Sequence, residues 1–144
     1  MPGLAGIHHV KIPVSDLQRS RAWYERVFGF KVTMEFPEDG VVRGLVGEVP
    51  GMGDTVMGLR ENPSAAAGIA GFDPISFGVR DRAHVEEWVS HLDNLGIPHS
   101  PIIDATEGWL LVFHDPDGLE IHLYSWERHG LEQTGRAGYG RAVA

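Results

Sequence analysis

The sequence has no cysteine, which removes disulfide staples, thiolate nucleophiles and cysteine-ligated zinc at once. Any metal must then rest on His, Asp or Glu. Long apolar runs are missing too: no stretch approaches the roughly 18 consecutive apolar residues that a membrane-spanning helix needs. Residues 1–6 lack the charged-then-apolar layout of a secretory signal, so a cytoplasmic protein with no membrane partner is the expectation. Positive charge is scarce, with 12 Lys and Arg against 20 Asp and Glu for a formal net charge of −8. The cations are scattered rather than gathered into a stripe, which leaves no electrostatic footprint for nucleic acid. A phosphate loop, a nucleophile elbow and a Ser-His-Asp arrangement are also absent.

What is present is a chain of 144 residues, 42% hydrophobic, long enough to bury its own core and short enough for one domain. Residues 7–14 (IHHVKIPV) alternate and are β-branched, which predicts a strand. Ser15-Asp16-Leu17-Gln18 has a capping-box pattern with Ser15 as N-cap. It opens a helix whose stripe carries Leu17, Tyr24, Val27 and Phe28 and which Gly29 ends. Three strands are expected at 30–36, 41–46 and 55–60, split by turns at 37–40 and 50–54. Residues 62–71 (NPSAAAGIAG) are small and aperiodic and read as a linker.

The pattern then starts again. A strand is expected at 72–79, followed by a helix capped by Asp81 with its apolar stripe on Val85, Trp88, Val89, Leu92 and Leu95. Strands near 99–103, 109–113 and 119–126 follow, with Asp115-Pro116-Asp117-Gly118 as a turn. IHHVKIPVSD and FDPISFGVRD superpose at a shift of 65 residues, pairing Val14 with Val79, Asp16 with Asp81 and Trp23 with Trp88. An internal duplication accounts for this. The expected fold is α+β: two tandem βαβββ units, 6–61 and 72–127, joined by the linker 62–71 into one domain over 1–127. The free faces of the sheets curl into a cupped, barrel-like cavity with the helices outside, a shape suited to a ligand. Residues 128–144 read as a flexible Gly-rich tail.

Two stretches carry a resemblance. IHHVKIPVSDLQRSRAWYERVFGFKV and FHDPDGLEIHLYSW resemble the opening and closing motifs of the vicinal oxygen chelate superfamily, which includes glyoxalase I, extradiol dioxygenases and bleomycin-binding proteins. The resemblance covers 6–126 and implies paired βαβββ units, a homodimer and a small-molecule substrate or ligand. It also implies metal ligands on the first and last strand of each unit, which fall here on His9, Gly58, Pro74 and His122. Only His9 and His122 of these can bind a metal.

A catalytic divalent site needs about three protein ligands with positions left open for substrate oxygens. Period-2 alternation puts Glu120, His122 and Tyr124 on one face of the last strand, so Glu120 is the candidate that would complete a set with His9 and His122 for iron, manganese, nickel or zinc. Glu120 and His122 are, however, roughly 7 Å apart along the strand. His9 and His122 are the candidate catalytic pair as well, since imidazoles are suited to moving a proton off a carbon beside a carbonyl. Alternation also turns Lys11 and Arg60 toward the cup, where with Tyr124 they would suit an anionic, oxygen-rich molecule. His8 faces the other way and reads as structural, and His114 reads as exposed beside its turn. Two functions stay open: a lyase, isomerase or oxygenase with an incomplete metal site, or a metal-free protein that sequesters a small molecule, which the loss of a histidine at Pro74 favours.

Overall fold

A computed structural model describes residues 1–143 of the chain. Among these the fold is α+β, with eight strands in two four-stranded mixed sheets and three helices. Two compact units form. Unit 1 comprises Met1–Ala70 together with Asp115–Leu119, and unit 2 comprises Gly71–His114 and the chain from Glu120 onward.

In unit 1 the strands β1 (His9–Val14), β2 (Lys31–Glu38), β3 (Val41–Glu48) and β4 (Val56–Glu61) lie in the order β1-β4-β3-β2. β1 runs parallel to β4 and the other pairs are antiparallel. Helix α1 (Leu17–Phe28) buries Leu17, Trp23, Tyr24, Val27 and Phe28, and the core of the unit also takes Ile12, Val14, Met57 and Leu59. Full burial of each such apolar side chain stabilises by about 1.5–3 kcal/mol. The helix is capped by Asp16 rather than Ser15: Asp16 accepts from the Arg19 N–H. Ser15 is engaged elsewhere, since its backbone N–H and its hydroxyl both donate to the Asp117 carboxylate. Gly29 closes the helix in the left-handed region at φ 69°, where a Cβ is disfavoured.

Residues 62–71, expected as a structureless linker, hold a second helix, α2 (Pro63–Ile69), started by the Asn62 side chain and buried through Ala66. Asn at the cap and Pro at the first helical position are strong start signals, and the run of alanines supplies propensity where periodicity is lacking.

Unit 2 repeats the plan with β5 (Ser76–Val79), α3 (Arg82–Asn94), β6 (Ile103–Asp104), β7 (Gly108–His114) and β8 (Glu120–Arg128), in the order β5-β8-β7-β6. Its buried side includes Val85, Leu92, Leu111, Phe113, Ile121 and Leu123. β5 starts four residues later than expected because Pro74 has no N–H to give to a ladder. β6 is short for a similar reason: Pro101 interrupts it and the Ser100 hydroxyl takes the Val112 N–H. Gln133 is buried and donates to Asp104, and the Thr106 hydroxyl donates to the Tyr139 carbonyl.

The turn 115–118 belongs to unit 1 through a buried pair. The Tyr24 hydroxyl donates to Asp115 Oδ2 at 2.8 Å, while Asp115 Oδ1 accepts from the backbone of Asp117 and Leu119. Burial pushes the Asp115 carboxyl above its ordinary value of 3.8, against the opposing pull of its hydrogen bonds from Tyr24, Leu119 and Asp117. A raised folded pKa means that the folded state holds the proton more tightly than the unfolded one. The contribution of this group is therefore fully present below pH 3.8 and is lost as pH rises through the raised folded value. In Asp115→Asn the loss disappears, so the stability of the variant relative to the parent is expected to climb from about pH 4 upward. Urea unfolding at a series of pH values checks this, and a pH-independent difference would refute it.

Candidate functional site

The parallel pairing of β1 with β4 sets Lys11 opposite Gly58 and His9 opposite Val56. Their alternate neighbours Ile12, Val14, Met57 and Leu59 are buried, so His9, Lys11, Val56, Gly58 and Arg60 belong to the other face of the sheet. That face lines a cavity of about 630 Å³ with Met34, Phe36 and Leu45 among its apolar walls. Met34 and Phe36 remain 57% and 43% exposed, an unusual state for large apolar side chains on one strand and one that fits a ligand surface. Two cations, Lys11 and Arg60, face one carboxylate, Glu38, which pairs with Arg60 at 2.6 Å. Among the described residues Lys11 has no carboxylate partner.

His8 also lines this cavity, contrary to the expectation that it points away. β1 begins only at His9, so strand alternation does not reach residue 8. The two rings meet with their Nδ1 atoms 3.0 Å apart, one donating and one accepting. Among the described residues nothing bonds Nε2 of His9.

The second cluster lies in unit 2. Glu120, His122 and Tyr124 are half-buried on one face of β8, while Ile121, Leu123 and Ser125 are buried on the other. His122 Nε2 is 2.8 Å from Glu120 Oε2, and its Nδ1 is 3.4 Å from Asp73 Oδ2. Asp73 arrives because the Glu120 N–H donates to the Phe72 carbonyl beside it. His114 Nε2 stands 3.7 Å from Glu120 Oε1. The strand spacing expected to separate Glu120 from His122 is bridged by the length of the glutamate side chain. Asp73 was not among the sequence candidates. The signal that would have drawn attention to it is its place immediately before Pro74, the position matching His9.

Tyr124, expected to contact substrate, is occupied otherwise: its hydroxyl accepts from the Glu107 and Gly108 N–H groups at 2.9 and 3.2 Å. His9, Lys11 and Arg60 thus share the unit 1 cavity, and Glu120 and His122 share the unit 2 cluster.

The glyoxalase/bleomycin resistance protein/dioxygenase superfamily pattern matches residues 6–123. The chain belongs to that superfamily. It is 29% identical over 132 residues to the uncharacterised protein YaeR of Escherichia coli (strain K12), covering 86% of this chain and 98% of that one. Solved structures of similar fold include TnmS3, an antibiotic binding protein from Streptomyces sp. CB03234, at a TM-score of 0.70 and 21% identity over 87% of this chain and 98% of the other. A lactoylglutathione lyase from Agrobacterium tumefaciens has a TM-score of 0.69 at 18% identity over 90% of this chain and 100% of its own.

Members of the superfamily often hold a divalent ion. Of the positions the resemblance implied for its ligands, Gly58 and Pro74 offer no donor atom. The imidazole and two carboxylates at His122, Glu120 and Asp73 have donor atoms within 4.8 Å of one another, a donor set suited to a divalent ion of the first transition row.

Replacing Tyr124 by Phe strands the Glu107 and Gly108 N–H groups. The expected result is a loss of about 1–3 kcal/mol of stability with faster hydrogen exchange at those two amides, and little change in ligand binding. Unchanged exchange would show that the hydroxyl does not hold the turn.

Proposed function

We propose that this chain takes up a small anionic molecule with an apolar body in the unit 1 cavity and transforms it as a lyase, isomerase or oxygenase. The observation that carries the reading is the composition of that cavity: cations at Lys11 and Arg60, an imidazole at His9 and an apolar wall including Met34 and Phe36. Its volume of about 630 Å³ lies in the range of pockets that enclose small ligands. Oxyanions of a carboxylate, phosphonate or enolate meet the ammonium of Lys11 and the guanidinium of Arg60, and the apolar body displaces water from β2 and β3. Glu38 yields readily, because an ion pair whose partners are 37% and 55% exposed contributes only about 0–1 kcal/mol.

In this reading His9 accepts a proton from the bound molecule at Nε2, a role its Nδ1 contact with His8 supports by orienting the ring. Sequestration without turnover is the second reading. It is favoured by Pro74, which leaves unit 2 without an imidazole on its first strand.

Thermal-shift screening of carboxylates and phosphonates with apolar groups tests the binding step. Lys11→Ala and Arg60→Ala are expected to weaken an anionic hit by tenfold or more, corresponding to about 1.4 kcal/mol, and to leave its neutral isostere almost unaffected. Equal weakening of both forms would refute the charge-based reading. Incubation of the hit with the protein, followed by mass spectrometry, separates the two functions: product that disappears in His9→Ala supports the enzyme, and an unaltered ligand supports sequestration.

A further inference from the structure

We propose that unit 2 binds one divalent cation by itself, through Asp73, Glu120 and His122, with no contribution from His9. The three side chains come from two neighbouring stretches of unit 2, the start of β8 and the segment leading into β5, which the Glu120 N–H joins by donating to the Phe72 carbonyl. A cation with bonds of about 2.1 Å at right angles spaces adjacent donors by about 3.0 Å. His122 Nε2 and Glu120 Oε2 stand 2.8 Å apart. Asp73 Oδ2 lies 3.4 Å from the other ring nitrogen, and the three residues offer donor atoms within 4.8 Å of one another.

The charge of the cluster points the same way. Two carboxylates converge where the side chains of Glu120 and His122 are only 27% and 19% exposed. Among the described residues no Lys or Arg pairs with either acid. Among the described residues the basic groups paired with them are imidazoles, His122 and, at 3.7 Å from Glu120, His114. Carboxylates drawn together in this way repel unless a cation joins them, and imidazoles lend themselves to ligation as neutral donors. One imidazole with two carboxylate oxygens is a harder set than paired imidazoles and is of a kind suited to manganese- or iron-type ions.

The assignment also accounts for Pro74. Where the duplication sets Pro74 against His9, unit 2 has no first-strand imidazole, and the adjacent Asp73 supplies the missing donor. All three donors lie in unit 2, so failure of this assignment would leave the reading of the unit 1 cavity standing.

The test uses the untagged full chain, stripped with chelator and titrated with Mn²⁺ while free Mn²⁺ is read by electron paramagnetic resonance. One Mn²⁺ per chain is expected. Asp73→Asn and Glu120→Gln should each weaken binding by at least about tenfold with the circular dichroism spectrum intact, and His9→Ala should change it by less than about twofold. No binding by the parent chain, binding unchanged in Asp73→Asn, or loss in His9→Ala would each overturn the assignment. A readout that needs no variant is the imidazole proton spectrum of the parent: substoichiometric Mn²⁺ should broaden the His122 resonances, and unbroadened His122 signals would overturn it equally.

Discussion

Parallel pairing between the first and last strand of each unit is the constraint on which both candidate sites depend. A parallel pair cannot be closed by a tight turn and needs a long crossover. In unit 1 that crossover is α1 with β2 and β3, and in unit 2 it is α3 with β6 and β7. Residues some 50 positions apart are thereby made lateral neighbours, as with Lys11 and Gly58 or Ser76 and His122. Because neighbours across a ladder share a face, the register alone decides which side chains line the cavity and which join the core. Gly58 shows the consequence at atomic scale: a Cβ there would lie 3.7 Å from Lys11 Cγ, the ordinary contact distance of residues that face one another across a ladder.

The two sheets use that shared geometry with opposite charge. The unit 1 cavity sets two cations against one carboxylate, whereas the unit 2 cluster sets two carboxylates against imidazoles. In a partly buried site a unit charge acts on another 4 Å away with about 4 kcal/mol. A single change of charge type on one strand is thus enough to alter what a sheet attracts. The chain as a whole is acidic at −8, which makes the positive cavity a local feature rather than a consequence of composition.

Much of this was legible in the sequence because it rests on period. The alternation of β1 and β8, the stripe of α1 and the match of Asp16 to Asp81 follow directly from strand and helix repeats. Asp73 was not legible for the same reason. Strict alternation back from Ser76, which pairs with His122, assigns residue 73 to the opposite face. Pro74 ends the ladder before that point and frees Asp73 to approach His122. Ser15 was misread because its local signal as a cap competes with a bond to Asp117, 102 residues away, and no local pattern carries that distance. Helix α2 was underestimated because an Ala-rich stretch lacks a hydrophobic repeat even when a cap starts it.

Divergence between the duplicated units follows from how each secures its polar groups. The ladders match Lys11 and Gly58 of unit 1 with Ser76 and His122 of unit 2, and the duplication sets His9 against Pro74. Unit 1 thus has its imidazole on the first strand and none on the last, and unit 2 has the reverse. Donors contributed half by each unit depend on how the units are arranged. Donors within one sheet do not, because hydrogen-bonded strands hold their side chains about 4.8 Å apart whatever surrounds them. Gathering Asp73 and Glu120 around His122 replaces a distance set by packing with one set inside unit 2, along β8 and across the hydrogen bond from the Glu120 N–H to the Phe72 carbonyl. A cluster built that way tolerates the loss of the histidine that Pro74 represents.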